Sequence, residues 1–187
     1  GASPGLPLRI QPETGPDNNA MPRSSVSAIY TQILDDLDDA IAGLPSDNGS
    51  REANLTRAHK NTAIALKTRV LLVKGDFQGV ITEANKLVPQ SAPFATSSGV
   101  ASSLNANIKA VFTAPFNTPE SIFSFPMATT NAPGTQNQLG YYFNAGNLEY
   151  YLNPTAPGIY AHSQWGADDA RRTQLTAVYA GIGAHPT

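Results

Sequence analysis

Apolar residues recur every three or four positions through the first half of the chain, which is the spacing of one buried face of an α-helix. This pattern predicts a first helix that is capped by Ser24 or Ser25 and ends near Gly43, just before Leu44 and Pro45. Its buried face is predicted to consist of Val26, Ile29, Tyr30, Ile33, Leu37, Ala40, Ile41 and Leu44.

A second helix is predicted after the polar loop at 47–50. Thr56 is expected to cap this helix, which should end near Lys74 and carry His59 on its polar face. Its apolar positions are spread over more than one side, so it should be covered by more than one neighbour. These positions are Ala63, Leu66, Val70 and Val73, together with Ile64 and Leu71.

A third helix is predicted from about Phe77 to Leu87, after the break at Gly75-Asp76 and before Pro89. Because the turn is short, the second and third helices should pack antiparallel as a hairpin. The hairpin resembles a tetratricopeptide repeat, in which small residues let the helices approach and an aromatic residue fills the gap between them. The positions that carry this resemblance are Gly75, Phe77, Val80, Ala84 and Leu87.

The remainder of the chain has a different composition. Five prolines fall within residues 1–22, which indicates an extended arm. Between 92 and 164 the only charged residues are Lys109, Glu120 and Glu149, and Gly, Pro, Ser, Thr, Asn and Gln are abundant. The expected fold is therefore mainly α, within one domain over 1–187. It should comprise the arm (1–22), tetratricopeptide-like helical hairpins (23–88) and an irregular loop-rich region with a few short strands (89–187).

Charge and cysteine content narrow the possible functions. Charged residues make up 14% of the chain and the net charge is −2, so the composition offers no basic surface for nucleic acid. The chain has no cysteine, which excludes disulfides and thiolate chemistry within it. His59, His162 and His185 lack a partner at the spacing of helical metal ligands, and motifs for nucleotide binding or acyl transfer are missing. We expect no catalytic residue, no metal site and no cofactor.

Aromatic and amide side chains are concentrated in one part of the second half. Aromatic rings can cover the C–H faces of sugars, while amides can bond to sugar hydroxyls. The low charge suits a neutral ligand, because few ions would have to be desolvated. The alternative is that these rings form the core of an irregular domain. The predicted carbohydrate-binding residues are Tyr141, Tyr142, Asn144, Asn147, Tyr150, Tyr151 and Trp165.

Two other chemistries can be weighed against this prediction. The run Asp35-Asp36-Leu37-Asp38-Asp39 contains the spacing of a magnesium-diphosphate motif, but Leu37 belongs to the predicted buried face. The four carboxylates are therefore expected to form a solvated helix face. A glycoside hydrolase would need two carboxylates that flank the bond. The second half offers only Glu120, Glu149, Asp168 and Asp169, and the last two are expected to pair with Arg171 and Arg172 on the surface.

Several short motifs occur in one order along nearly the whole chain. The first is the arm Gly5-Leu6-Pro7-Leu8, and a Glu-Ser-Ile-Phe segment over 120–123 is expected to form a strand. The other positions are Arg23, Ser24, Tyr30, Asp36, Leu37, Leu44 and Pro45 in the first helix; Arg57, Ala63, Leu66, Arg69, Val70, Leu72, Gly75, Asp76 and Phe77 in the hairpin; and Asp169, Arg171 and Arg172 near the end. Through these motifs the chain resembles the SusD/RagB-type outer-membrane nutrient-binding lipoproteins.

The resemblance implies a function as well as a fold. Members of the family have an α-helical repeat scaffold and no catalytic centre, and they capture oligosaccharides or other nutrients for a SusC-like TonB-dependent transporter. They lie on the outer-membrane surface, held by a lipid on a cysteine that this chain does not contain, and they are much longer. The chain is thus expected to be an internal fragment of such a protein. The alternative is a free-standing tetratricopeptide-like scaffold that binds protein on its helices; a glycoside hydrolase is less favoured.

Overall fold

The computed structural model describes residues 1–16, 20–112, 117–128, 130–143, 150–155 and 157–178. Contacts divide the chain into two compact units, Gly1–Leu104 with Pro119–Ser124, and Asn105–Thr118 with Phe125–Thr187. The prediction of a mainly α fold is confirmed. In place of the few short strands, the described residues form two isolated bridges, Pro4 with Ser25 and Ala95 with Ser103. None of the described helices is long and apolar enough to cross a membrane.

The first helix, α1 (Val26–Gly43), has the predicted bounds. Ser25 caps it, because its Oγ accepts a hydrogen bond from the Ala28 N–H at 3.1 Å. The described part of the N-terminal arm lies against the start of this helix. There the Gly5 N–H donates to the Ser24 carbonyl at 2.7 Å and the Arg23 guanidinium donates to the Pro4 carbonyl at 3.0 Å. The arm is therefore part of the first unit.

The region predicted as a single second helix contains two helices, α2 (Arg51–Thr56) and α3 (Lys60–Lys74). The prediction that Thr56 caps the long helix is wrong, since Thr56 is the last residue of α2 and the cap of α2 is Ser50. Burial explains the extra turn. Leu55 is completely inaccessible to solvent. It comes before Thr56, where the single long helix was predicted to start, and forming α2 places its side chain in the core.

His59 is the N-cap residue of α3, and its side chain is buried. The prediction that it lies on the polar face of the helix is therefore wrong. Its Nε2 lies 3.3 Å from the Ile122 carbonyl, and its Nδ1 has no hydrogen-bond partner among the described residues. Burial lowers the pKa of His59, because the charged imidazolium would lose its hydration. The neutral ring thus connects the start of α3 to the segment 119–124.

The segment 119–124, which belongs to the first unit, packs against α2 and α3 without forming the expected strand over 120–123. The Ser124 N–H donates to the Leu55 carbonyl at 2.7 Å. The Arg51 guanidinium donates to the Ser121 carbonyl at 3.1 Å and to the Ala101 carbonyl at 3.0 Å. One arginine on α2 therefore satisfies backbone carbonyls from two separate loops, which replaces the hydrogen bonds that a strand would make.

Helices α3 and α4 (Phe77–Ala84) form the predicted hairpin, although α4 is shorter than expected. Gly75 ends α3 in the left-handed region at φ 82°, where glycine carries no steric penalty. The Asp76 carboxylate caps α4 by accepting from the Gly79 N–H at 2.9 Å. Phe77 is 65% exposed, so the expectation that this ring fills the gap between the helices is wrong.

The buried positions of α3 differ from the predicted stripe. Ala63, Ile64 and Leu71 are buried, whereas Leu66 and Val73 are 50% and 77% exposed. Helix α3 packs against α1 on one side and α4 on the other. The residues that face these two neighbours are covered, and a third apolar side is exposed in this chain.

A line of charges links the three longest helices of the first unit. The Glu83 carboxylate, buried on α4, lies 3.2 Å from the Lys67 ammonium on α3 and 2.7 Å from Lys86. Lys67 also pairs with Asp38 on α1.

Leu37 is buried while the four aspartates beside it are exposed. Among the described residues, no three acidic, histidine or cysteine side chains are grouped so that they could hold a metal ion.

The second unit has short helices joined by loops. Two α-helices are described in it, α5 (Leu139–Phe143) and α6 (Ala170–Leu175), with 3₁₀ turns at Ile108–Val111, Thr135–Asn137 and Ile159–Ala161. α5 contacts the turn at Thr135–Asn137, and α6 contacts the turn at Ile108–Val111. The aromatic residues predicted to bind sugar lie in this unit.

Candidate functional site

Four aromatic rings of the second unit form what we call the tyrosine cluster, made of Tyr141, Tyr142, Phe143 and Tyr150. The rings of Tyr141 and Tyr142 meet edge to face with centroids 5.3 Å apart. The ring of Tyr150 lies 5.9 Å from that of Tyr142 and 5.9 Å from that of Phe143. These distances are within the favourable range for aromatic pairs.

Hydrogen bonds fix the position of this cluster. The Tyr142 hydroxyl donates to the Gln136 carbonyl at 2.7 Å, and the Tyr142 carbonyl accepts from the Tyr150 N–H at 3.1 Å. Phe143 and Tyr150 nevertheless remain 54% and 59% exposed, and the neighbouring Tyr151 is 51% exposed. The cluster therefore presents aromatic surface to solvent from rings that are held in place by their neighbours.

A second aromatic group, the tryptophan group, comprises Tyr160, Trp165 and Arg172. The rings of Tyr160 and Trp165 meet edge to face at 5.4 Å, and the Arg172 guanidinium lies 4.1 Å from the centre of the Tyr160 ring. Arg172 also donates to the carbonyls of Tyr160 and Trp165, at 3.0 and 3.1 Å. One arginine thus holds both aromatic residues through ring and backbone contacts, so Arg172 has a different role from the surface ion pair that was expected.

A pocket of about 400 Å³ lies next to the tryptophan group and is lined by Ile159, His162, Gln164, Trp165 and Arg171. The volume is within the range of small-ligand sites. Its lining combines an aromatic ring and an aliphatic side chain with an imidazole, an amide and a guanidinium. A ligand with an apolar face and polar substituents matches this combination.

An ion pair beside the pocket fixes Arg171. The Arg171 Nε and Nη2 donate to the Asp169 carboxylate at 3.0 and 2.6 Å, and the Arg171 N–H adds a third bond at 2.8 Å. These bonds hold the pKa of Asp169 far below its ordinary value and raise that of Arg171. The indole N–H of Trp165 is buried and has no hydrogen-bond partner among the described residues. Because it lies close to the Asp169 carboxylate, it makes a small further contribution to the lowered pKa of Asp169.

The state of Asp169 bears on the hydrolase alternative. A general acid for glycoside cleavage must be protonated near neutral pH, which requires a raised pKa. The pKa of Asp169 is instead lowered by Arg171, so Asp169 is unsuited to that role. Glu149, another of the four candidate carboxylates, lies outside the described residues.

The predicted site residues fall into two places. The structure brings Tyr141, Tyr142 and Tyr150 together, while Trp165 packs against Tyr160 in its own group. Asn144 and Asn147 lie outside the described residues. Sequence reasoning missed the site neighbours Phe143, Ile159, His162, Gln164 and Arg171. These residues lie close in sequence to the predicted aromatic residues, and this closeness was the available signal. The turns that bring their side chains together could not be recognised, because they have no characteristic sequence pattern.

A different kind of cavity lies in the first unit. It has a volume of about 460 Å³ and lies between the arm, α1 and α3. The cavity is lined by Gly5, Leu6, Val26, Ile29, Tyr30, Ile33, Arg69, Val70 and Val73. Only Tyr30 and Arg69 bring polar side-chain atoms to it. A sugar needs polar partners for most of its hydroxyls, so this groove is a poor carbohydrate site and suits an apolar side chain better.

Comparison with known proteins found similarity among solved structures. A structure from Bacteroides fragilis, described as a SusD superfamily protein, is 32% identical over 92% of this chain, with a TM-score of 0.67. A SusD-like protein from B. fragilis NCTC 9343 is 40% identical over 44% of the chain and 16% of its own length, with a TM-score of 0.39. The chain spans 37% of the length of the first of these. No family model matches the chain, and none of the curated proteins compared with it matches.

Proposed function

The chain belongs to the SusD superfamily, and on that premise we propose that it forms part of a protein that captures carbohydrate at the cell surface without cleaving it. In this proposal the whole protein is lipid-anchored in the outer membrane and delivers its oligosaccharide to a SusC-like TonB-dependent transporter. The second unit meets the sugar, while the helices of the first unit supply the scaffold.

The tyrosine cluster is the observation that carries this proposal. Binding a sugar ring through its C–H face requires an aromatic surface that stays exposed without collapsing onto its neighbours. Phe143 and Tyr150 are more than half exposed, yet the Tyr142 hydroxyl bond and the contacts with the other rings hold them in place. Because the surface is already ordered, binding would cost little conformational entropy.

Removing one exposed ring tests this proposal. We expect Tyr150→Ala to weaken oligosaccharide binding about tenfold, since it deletes an aromatic stacking surface. Tyr150→Phe should retain most of the affinity, because it keeps the ring. The measurement is calorimetric titration of the intact protein with neutral hexasaccharides of glucose, xylose, mannose and galactose.

Phe77→Ala is the matched control, because it removes a ring that is 65% exposed on α4 in the first unit. It should leave the affinity within about twofold of the unmodified protein. If none of the hexasaccharides binds, or if both alanine variants weaken binding equally, the proposal is wrong. Chromatography of the sugars after incubation checks the non-catalytic part: shortened products would contradict it.

A protein-binding scaffold is the second candidate, and the apolar groove of the first unit favours it. The groove and the exposed side of α3 offer surface for an apolar segment of a partner. This candidate places ligand contacts on residues 24–88, and carbohydrate capture places them on the second unit. The two functions are thus distinguished by where a ligand protects the chain.

A further inference from the structure

The pocket beside the tryptophan group has hydrogen-bond donors on two side chains, His162 and Arg171, that are not used within the described residues. The His162 Nδ1 accepts a hydrogen bond from the Gln164 N–H at 3.2 Å, so the proton of the neutral imidazole is on Nε2. That Nε2 has no hydrogen-bond partner within the described parts of the chain. The imidazole therefore brings a donor to the lining of the pocket.

Arg171 brings further donors to the same pocket. Two of its nitrogens, Nε and Nη2, are bound to Asp169, and Nη1 has no partner among the residues described here. The side chain is 66% exposed, so Nη1 can reach a ligand in the pocket. The Asp169 carboxylate accepts three hydrogen bonds from Arg171 and is not part of the pocket lining, so it does not offer the ligand an equivalent acceptor.

The apolar part of the lining is suited to a sugar ring. Ile159 is 65% exposed and Trp165 provides aromatic surface in the same pocket. A ring placed against these two side chains would have its polar substituents near the His162 Nε2 and the Arg171 Nη1. Both groups donate, and one of them is a cation, so the substituent they match best is an anionic acceptor.

We propose that this pocket binds a carboxylate-bearing sugar unit, a hexuronate, with its carboxylate on Arg171 and His162 and its ring on Trp165 and Ile159. This inference rests on the proposed carbohydrate capture and narrows it to a ligand class. It differs from the neutral ligand that the low overall charge predicts, because the lining of the pocket includes the cation Arg171 but not its partner Asp169.

A matched pair of ligands tests the proposal. Oligogalacturonate and its methyl ester have the same sugar ring and differ in the charge of the carboxyl group. We expect the intact protein to bind the acid at least about tenfold more tightly than the ester, because charge-assisted hydrogen bonds are lost in the ester. Acetate at the same concentration should not compete, since it lacks the ring.

Two variants locate this preference. Arg171→Gln should reduce the preference for the acid to about twofold or less and leave the affinity for the ester unchanged. His162→Asn should reduce it partly, because asparagine can still accept from the Gln164 N–H but cannot place a donor where Nε2 lies. Arg57→Gln is the charge control: it removes an exposed cation from the first unit and should leave the preference intact.

The possible failures are distinguishable. Equal binding of acid and ester, or a preference that survives Arg171→Gln, would overturn the hexuronate proposal while leaving carbohydrate capture in place. Absence of binding by both ligands and by the neutral hexasaccharides would overturn capture itself, and the hexuronate proposal with it. Competition by acetate alone would show a simple anion site and would also overturn the proposal.

Discussion

Leu55→Ala is expected to lower the free energy of unfolding by about 3 kcal/mol, the middle of the range for a leucine deleted from a packed core. Leu55 has no solvent-exposed surface. The substitution leaves a cavity between α2 and its neighbours, and the carbonyl of the same residue accepts the Ser124 N–H that holds the segment 119–124. The measurement is urea unfolding of the 187-residue chain, followed by circular dichroism.

Leu72→Ala is the matched control for this prediction. It makes the same chemical change on α3, where the leucine side chain is 55% exposed. Alanine also has a slightly better helix propensity, so we expect a change within about 0.5 kcal/mol. Equal losses from the two substitutions would contradict the assignment of Leu55 to the core.

Lys67→Met is expected to lower the free energy of unfolding by about 2 kcal/mol at neutral pH, because it leaves the buried Glu83 carboxylate with one cation in place of two. The Lys67 side chain is 12% exposed and pairs with both Glu83 and Asp38. Lys86→Met is the control: it removes the other partner of Glu83, which is 48% exposed, and should cost about 0.5 kcal/mol.

The pH dependence of the Lys67 effect gives a second readout. Burial by itself would lower the pKa of Lys67, but the ion pairs with Asp38 and Glu83 outweigh it and the net shift is upward. A raised lysine pKa contributes stability below the ordinary value of 10.5 and loses it as pH rises through the folded-state pKa. The difference between the unmodified chain and Lys67→Met should therefore stay constant near neutrality and shrink in strong alkali. A difference that grows with pH would contradict the ion-pair account.

The helices of the first unit could largely be predicted from the sequence because their signals are local. Ser25 acts through its side chain and Gly75 through its left-handed backbone conformation, so the start of α1 and the end of α3 follow from the residue types. α2 could not be predicted in this way, since its six residues give too little periodicity. Its position depends on the burial of Leu55 and on the bonds from Arg51 to distant loops.

The candidate site was only partly predictable, for a similar reason. Ring composition pointed to Tyr141, Tyr142 and Tyr150, and these residues are close in sequence as well as in space. The pocket depends on the conformations of loops and on how Asp169 orients Arg171, and neither follows from composition. The low charge of residues 92–164 could not indicate this cation, because Arg171 lies outside that range and its place in the pocket lining depends on the fold.

Hydrogen exchange measured by mass spectrometry shows whether the second unit captures carbohydrate. The intact protein is compared with and without saturating amounts of the tightest-binding oligosaccharide. If the second unit binds the sugar, we expect slower exchange of backbone amides within 136–165 and unchanged exchange within 24–88. Protection confined to 24–88, with none in 136–165, would contradict it.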